Sequence, residues 1–118
     1  MSEVLKQLQE EIYAWSTSKG WWLPQTKAYK GIMLVMIGSK LMLIVCEVAE
    51  AMECLRDLDM DLRYGEDGKP EGFVSELADI VIRTFDTAEA LGINLGEAIR
   101  IKMDYNHRRK FRHGGRNL

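Results

Sequence analysis

Proline and cysteine are both scarce in this chain, with two of each in 118 residues. So few prolines, and few clusters of turn residues, leave long helices open and argue against a fold of many short strands. Cys46 and Cys54 fall eight residues apart on what reads as one helix, a separation of about 12 Å of rise, so they cannot bridge one another and are expected as free thiols. No uninterrupted apolar run reaches membrane-spanning length, because Ser39 and Lys40 break the stretch from Gly31 to Cys46. With no cationic leader before an apolar segment either, the expectation is a cytoplasmic protein with no membrane partner. His107 and His113 have no H-x-x-H or E-x-x-H companion, which disfavours a zinc or di-iron site.

Charge is unevenly spread. The net charge is −2, yet Lys102 to Leu118 holds six Lys or Arg against Asp104 alone, leaving an acidic body. A body of that sign argues against non-specific nucleic-acid binding. The basic tail has only Phe111 among its arginines, so phosphate gripping or plain solvation explains it better than a polymer.

Helical periodicity accounts for most of the chain. Val4, Leu5, Leu8, Ile12 and Trp15 mark a first helix over 3–17, with Ser2 as its N-cap. Gly20-Trp21-Trp22-Leu23-Pro24 reads as a connector, and a second helical region covers roughly 27–60, with Gly31 and Gly38 as points of possible interruption. Tyr64 to Pro70 has the composition of a loop. Phe73, Leu77, Ile80, Val81, Thr84, Ala88 and Leu91 lie on one face of a third helix that ends at Gly92. Asn94 with Glu97 opens a fourth, through about Arg109. Long helices with short connections predict a single all-α domain over residues 1–118, an antiparallel bundle of about four helices. Residues 32–52 are apolar nearly all round, so the core is expected to be completed by a homo-oligomer, dimer or tetramer.

Within that apolar helix stand two carboxylates. Between Leu41 and Met52 only Glu47 and Glu50 are polar, three positions apart and on one side of the helix. A carboxylate taken out of water without a partner costs several kcal/mol, so two together need compensation, and a divalent cation supplies it. The spacing recurs as Glu76 and Asp79 on the next helix. One such pair is ordinary surface; two on consecutive helices predict a metal site. Lys102 and Asn106, at i and i+4 on the fourth helix, with Arg109 three residues on, form a stripe suited to phosphate oxygens. Arg83 is placed to pair with Asp79 or Glu76. Glu53 reads as solvated, and Trp21 and Trp22 as core side chains before base-stacking ones.

Leu43 to Glu53, containing E-x-x-E, and Glu76 to Arg83, containing E-x-x-D, followed by Lys102-Met103-Asp104-Tyr105-Asn106-His107-Arg108-Arg109 and Arg112-His113-Gly114-Gly115, resemble the motifs of the MazG-like all-α nucleoside triphosphate pyrophosphohydrolases, the superfamily that includes dimeric dUTPases. The resemblance covers roughly residues 36–115. It implies Mg²⁺-dependent hydrolysis, with Mn²⁺ as a substitute, of a nucleoside triphosphate to the monophosphate and pyrophosphate. By that resemblance Glu47, Glu50, Glu76 and Asp79 hold metal and serve catalysis, Lys102, Asn106 and Arg109 bind phosphate, and Trp22 is a candidate to stack on the base. Two other classes compete with the enzyme. One is a non-catalytic helical interaction module whose carboxylates bind a structural ion or a basic partner; the other is a nucleotide-binding regulator without turnover.

Overall fold

The computed structural model describes residues 2–22 and 30–109. The Leu23-Pro24 end of the connector, positions 27–29 and the Arg112 to Gly115 tail lie outside the described residues. Four helices account for most of what is described: α1 Ser2–Ser18, α2 Lys30–Arg56, α3 Phe73–Ala90 and α4 Leu95–His107. Gly38 does not interrupt α2, which runs unbroken through it. The fold is an all-α bundle in which α3 is central, with α2 on one side and α1 on the other, while α4 packs on α1. No helix among the described residues is long and apolar enough to cross a membrane.

The segment expected as a plain loop contains a small antiparallel hairpin, β1 Arg63–Tyr64 with β2 Pro70–Glu71, in the register Arg63 to Glu71 and Tyr64 to Pro70. Its closing hydrogen bonds, Gly65 N–H to the Lys69 carbonyl at 2.8 Å and Gly68 N–H to Gly65 at 3.0 Å, form a turn too short to read as strands from composition. The Arg63 guanidinium spans it, bound to Asp59 at 2.7 Å on one side and to Glu71 on the other. Gly72 then joins the hairpin to α3 at φ 102°, and a Cβ there would sit 2.1 Å from the Asp61 carbonyl oxygen. Only glycine fits such a backbone and such an approach. The Phe73 N–H donates to the Asp59 carbonyl at 2.8 Å, so the start of α3 is tied to the residues that follow α2. That tie fixes which turn of α3 faces which turn of α2.

At its other end α3 stops as the sequence predicts. Gly92 has φ 69°, its N–H donates to the Glu89 carbonyl at 3.0 Å, and the Ile93 N–H donates to Ala88 at 2.9 Å. These two bonds form a Schellman motif, satisfying carbonyls that the helix end would leave free. Asn94 caps α4, accepting from the Glu97 N–H at 3.1 Å.

The bundle's interior is small and partly polar. Among the described residues the buried apolar side chains are Trp22, Ala51, Phe85 and Ala88, and many large apolar groups on α2 face solvent. The radius of gyration is 17.1 Å, where a compact chain of this length gives about 13–14 Å.

Candidate functional site

Antiparallel packing of α2 on α3 sets Glu47 and Glu50 against Glu76. Each can place a carboxylate oxygen so that all three lie within 4.8 Å of one another. Asp79 is outside that trio. One turn further along α3, it lines a neighbouring cavity together with Glu47. The two sequence pairs thus give three converging carboxylates with a fourth beside them.

Among the described residues one cation forms an ion pair with these acids. The Arg83 Nε donates to Glu47 Oε1 at 2.7 Å, across the α2–α3 interface. This corrects the expected pairing of Arg83 with Asp79 or Glu76 on its own helix: the side chain crosses to α2, where Glu47 is buried and in greater need of compensation. Burial pushes the Glu47 carboxyl up, but the hydrogen bond and charge of Arg83, together with a hydrogen bond from the Glu50 carboxyl, outweigh it and hold Glu47 below the ordinary carboxylate range. Glu50 moves the other way, raised first by its hydrogen bond to Glu47 and by that group's charge. Asp79 is raised by burial and by the charge of Glu47, against the pull of Arg83 and Lys69.

Glu76 is the least compensated of the four. Burial, the Glu50 charge and their mutual hydrogen bond push it up to about 7. Its Oε2 is the one buried side-chain polar atom among the described residues with no hydrogen-bond partner. A buried acceptor in that state costs about 1–3 kcal/mol, more when charged. The donor set is entirely carboxylate oxygen, the chemistry that hard divalent cations prefer. An orphaned oxygen within an acidic trio therefore fits such an ion.

Beside the carboxylates lies a cavity of about 450 Å³, within the range of small-molecule sites. α1 supplies Leu8, Glu11, Ile12 and Trp15; α3 supplies Asp79, Ile82, Arg83 and Asp86; Glu47 and Trp21 complete the wall. Trp15 and Trp21 meet edge to face, with ring centroids 5.2 Å apart. Trp22, the sequence candidate for base stacking, takes the core role instead. Its ring is 6% exposed, sits 5.9 Å from that of Tyr13, and carries the Lys40 ammonium 4.5 Å from its centroid. Trp22 Nε1 donates to both oxygens of Asp86 at 3.0 Å, and Ser16 Oγ donates to Asp86 Oδ2 at 2.8 Å.

Sequence reasoning missed Trp15 and Asp86 as wall residues, and favoured a core role for Trp21, which lines the cavity. The signal was present: Leu8, Ile12 and Trp15 form one helical stripe, and Asp79, Arg83 and Asp86 another. Lys102 and Asn106 are exposed on α4, and Arg109 is exposed just past its end, since the helix stops at His107 and not at about Arg109; none of the three lines the cavity. Lys102 and Arg109 instead flank the Tyr105 ring, at 5.7 and 5.9 Å from its centroid. No protein-family model, curated protein or solved structure matches the chain.

Proposed function

We propose that the protein is a divalent-cation-dependent nucleoside triphosphate pyrophosphohydrolase, the activity that its motif resemblance implies. The observation that carries the reading is the convergence of Glu47, Glu50 and Glu76, with Glu76 Oε2 unpartnered, at the edge of a cavity walled by two tryptophans. Glu47, Glu50 and Glu76 would hold Mg²⁺, or Mn²⁺ in its place, with Asp79 beside them. Such an ion neutralises triphosphate charge and acidifies bound water.

The chain's own groups divide the remaining work. Arg83 keeps Glu47 ionised and fixed in place, so that group retains its negative charge despite its burial. One of the four carboxylates takes the proton of the attacking water as its oxygen bonds to the α-phosphorus; the bond from that phosphorus to the bridging oxygen breaks, and pyrophosphate leaves. The apolar cavity takes the base, with Trp15 and Trp21 as the rings available to it. In this reading Lys102 and Asn106 on α4, with Arg109 just past its end, grip phosphate. Since they do not line the cavity of their own chain, a homo-oligomer, dimer or tetramer, belongs to the proposal.

The test is release of pyrophosphate from a panel of ribo- and deoxyribonucleoside triphosphates, with and without Mg²⁺, comparing the native chain with Glu50→Gln. The expected outcome is Mg²⁺-dependent release that the substitution lowers by on the order of 10²–10⁴-fold. A folded protein that binds Mg²⁺ and releases pyrophosphate from no triphosphate would leave the carboxylates a binding role only.

A further inference from the structure

The cavity beside the carboxylates is acidic beyond the metal-binding trio. Glu11 lines it from α1, and Asp79 and Asp86 line it from one face of α3, two turns apart. The cation of the wall, Arg83, is bound to Glu47. Among the described residues no Lys or Arg forms an ion pair with Glu11, Asp79 or Asp86. Asp86 is held by Ser16 and Trp22, two neutral donors that bring no balancing charge. Glu11 is exposed, three residues after Leu8 and four before Trp15, within the α1 stripe that faces the cavity. Tryptophan and aliphatic side chains make up the rest of the wall.

Such a wall sorts its occupants by their hydrogen-bonding edge. An ionised carboxylate only accepts, so it binds an N–H group and repels a carbonyl oxygen. Phosphate, itself anionic, is turned away from these acids, which leaves the cavity to the uncharged base. Tryptophan faces stack on any base with little preference, so discrimination falls to the carboxylates. Cytosine and adenine carry an exocyclic amino group, a donor, on the edge where uracil and hypoxanthine carry an oxygen, an acceptor. The acids favour the first pair.

We propose that the cavity selects nucleobases bearing an exocyclic amino group, cytosine and adenine, over their oxo counterparts, and that Glu11 accepts from that group. The proposal rests on the cavity being the base site and adds to it the class of base. Among the three acids the role falls to Glu11 by position. Asp86 is engaged by Ser16 and Trp22, and Asp79 stands beside the metal-binding trio. Glu11 lies one turn from Trp15 on the same helix face, where it meets the edge of a base stacked on that ring. Because Glu11 is exposed to water, the expected discrimination is about 10-fold, far below that of a fully buried hydrogen-bonding pocket.

The experiment is kcat/KM for pyrophosphate release from two matched pairs, dCTP against dUTP and dATP against dITP, with Mg²⁺, in the native chain and in Glu11→Gln. The native chain is expected to favour the amino member of each pair by about 10-fold. Glu11→Gln puts an amide donor in the same space, and is expected to bring both ratios close to unity through KM, with kcat little changed. Turnover without that preference, or a preference that Glu11→Gln leaves intact, would overturn the proposal while the hydrolase reading stands. If no triphosphate is turned over, the hydrolase reading fails by itself, and the same selection is read from quenching of tryptophan fluorescence by cytidine against uridine. Tighter binding of cytidine, lost in Glu11→Gln, would uphold the proposal; equal binding, or binding of neither, would overturn it.

Discussion

Two acidic places lie a few turns apart on α3, Asp86 buried and Glu76 half-buried, and they are built in opposite ways. Asp86 receives two donors, the Ser16 hydroxyl and the Trp22 indole, which between them reach both of its oxygens. Glu76 faces Glu47 and Glu50 across the interface, and one of its oxygens has no partner. The first arrangement ties α1 and the residues after it to α3. The second stores repulsion in a place where a cation would relieve it. A buried carboxylate is evidence of a site only when its compensation is missing, and Asp86 shows what complete compensation looks like in the same helix.

The largest test of that contrast is a pair of unfolding curves recorded without metal. Asp86→Ala leaves the Ser16 hydroxyl and the Trp22 N–H buried without an acceptor, and is expected to destabilise the fold by about 2–4 kcal/mol. Glu76→Gln removes a like charge from the cluster and is expected to leave the midpoint unchanged or raise it. Equal losses in the two variants would erase the distinction.

A second, smaller effect is in the pH dependence. Because Glu76 titrates near 7 in the native protein against 4.5 ordinarily, between these values the native state keeps a proton that the unfolded chain has lost. Metal-free stability should therefore rise as the pH falls from about 7 toward 4.5, and level off below. Glu50 and Asp79 act in the same direction, while Glu47, held low by Arg83, opposes them. Thermal midpoints across that window should flatten in Glu76→Gln; an unchanged slope would place the source elsewhere. Smallest is Ser16→Ala, which removes one of the two donors to Asp86 and is expected to cost about 1 kcal/mol in chemical denaturation, with no effect on Mg²⁺ affinity.

The helices were legible because their signals are local. The stripe on α1, the Gly92 stop and the Asn94 cap each depend on residues within one or two turns. The approach of Glu76 to Glu47 and Glu50 could be anticipated from spacing, since equal i, i+3 pairs on antiparallel neighbours can meet face to face. What spacing could not give was which acid Arg83 chooses, because that depends on burial at Glu47 across an interface. Nor could it separate Trp21 from Trp22: adjacent in sequence, one lines the cavity and the other turns inward to Asp86. The hairpin escaped notice because two-residue strands have no periodicity to detect.

The hairpin also sets a rule for altering the chain. Gly72 has no room for a side chain, and the Phe73 N–H is held by Asp59, so α3 starts at a fixed rotation about its axis. One residue added after Gly72 would turn Glu76 through about 100° and carry it off the cluster. The bonds from Gly65 to Lys69 and Gly68 close the tip of the hairpin upon itself, independently of that start. Residues 66–67 are thus a place where a tag or an epitope can be spliced in without changing the phase of either motif helix.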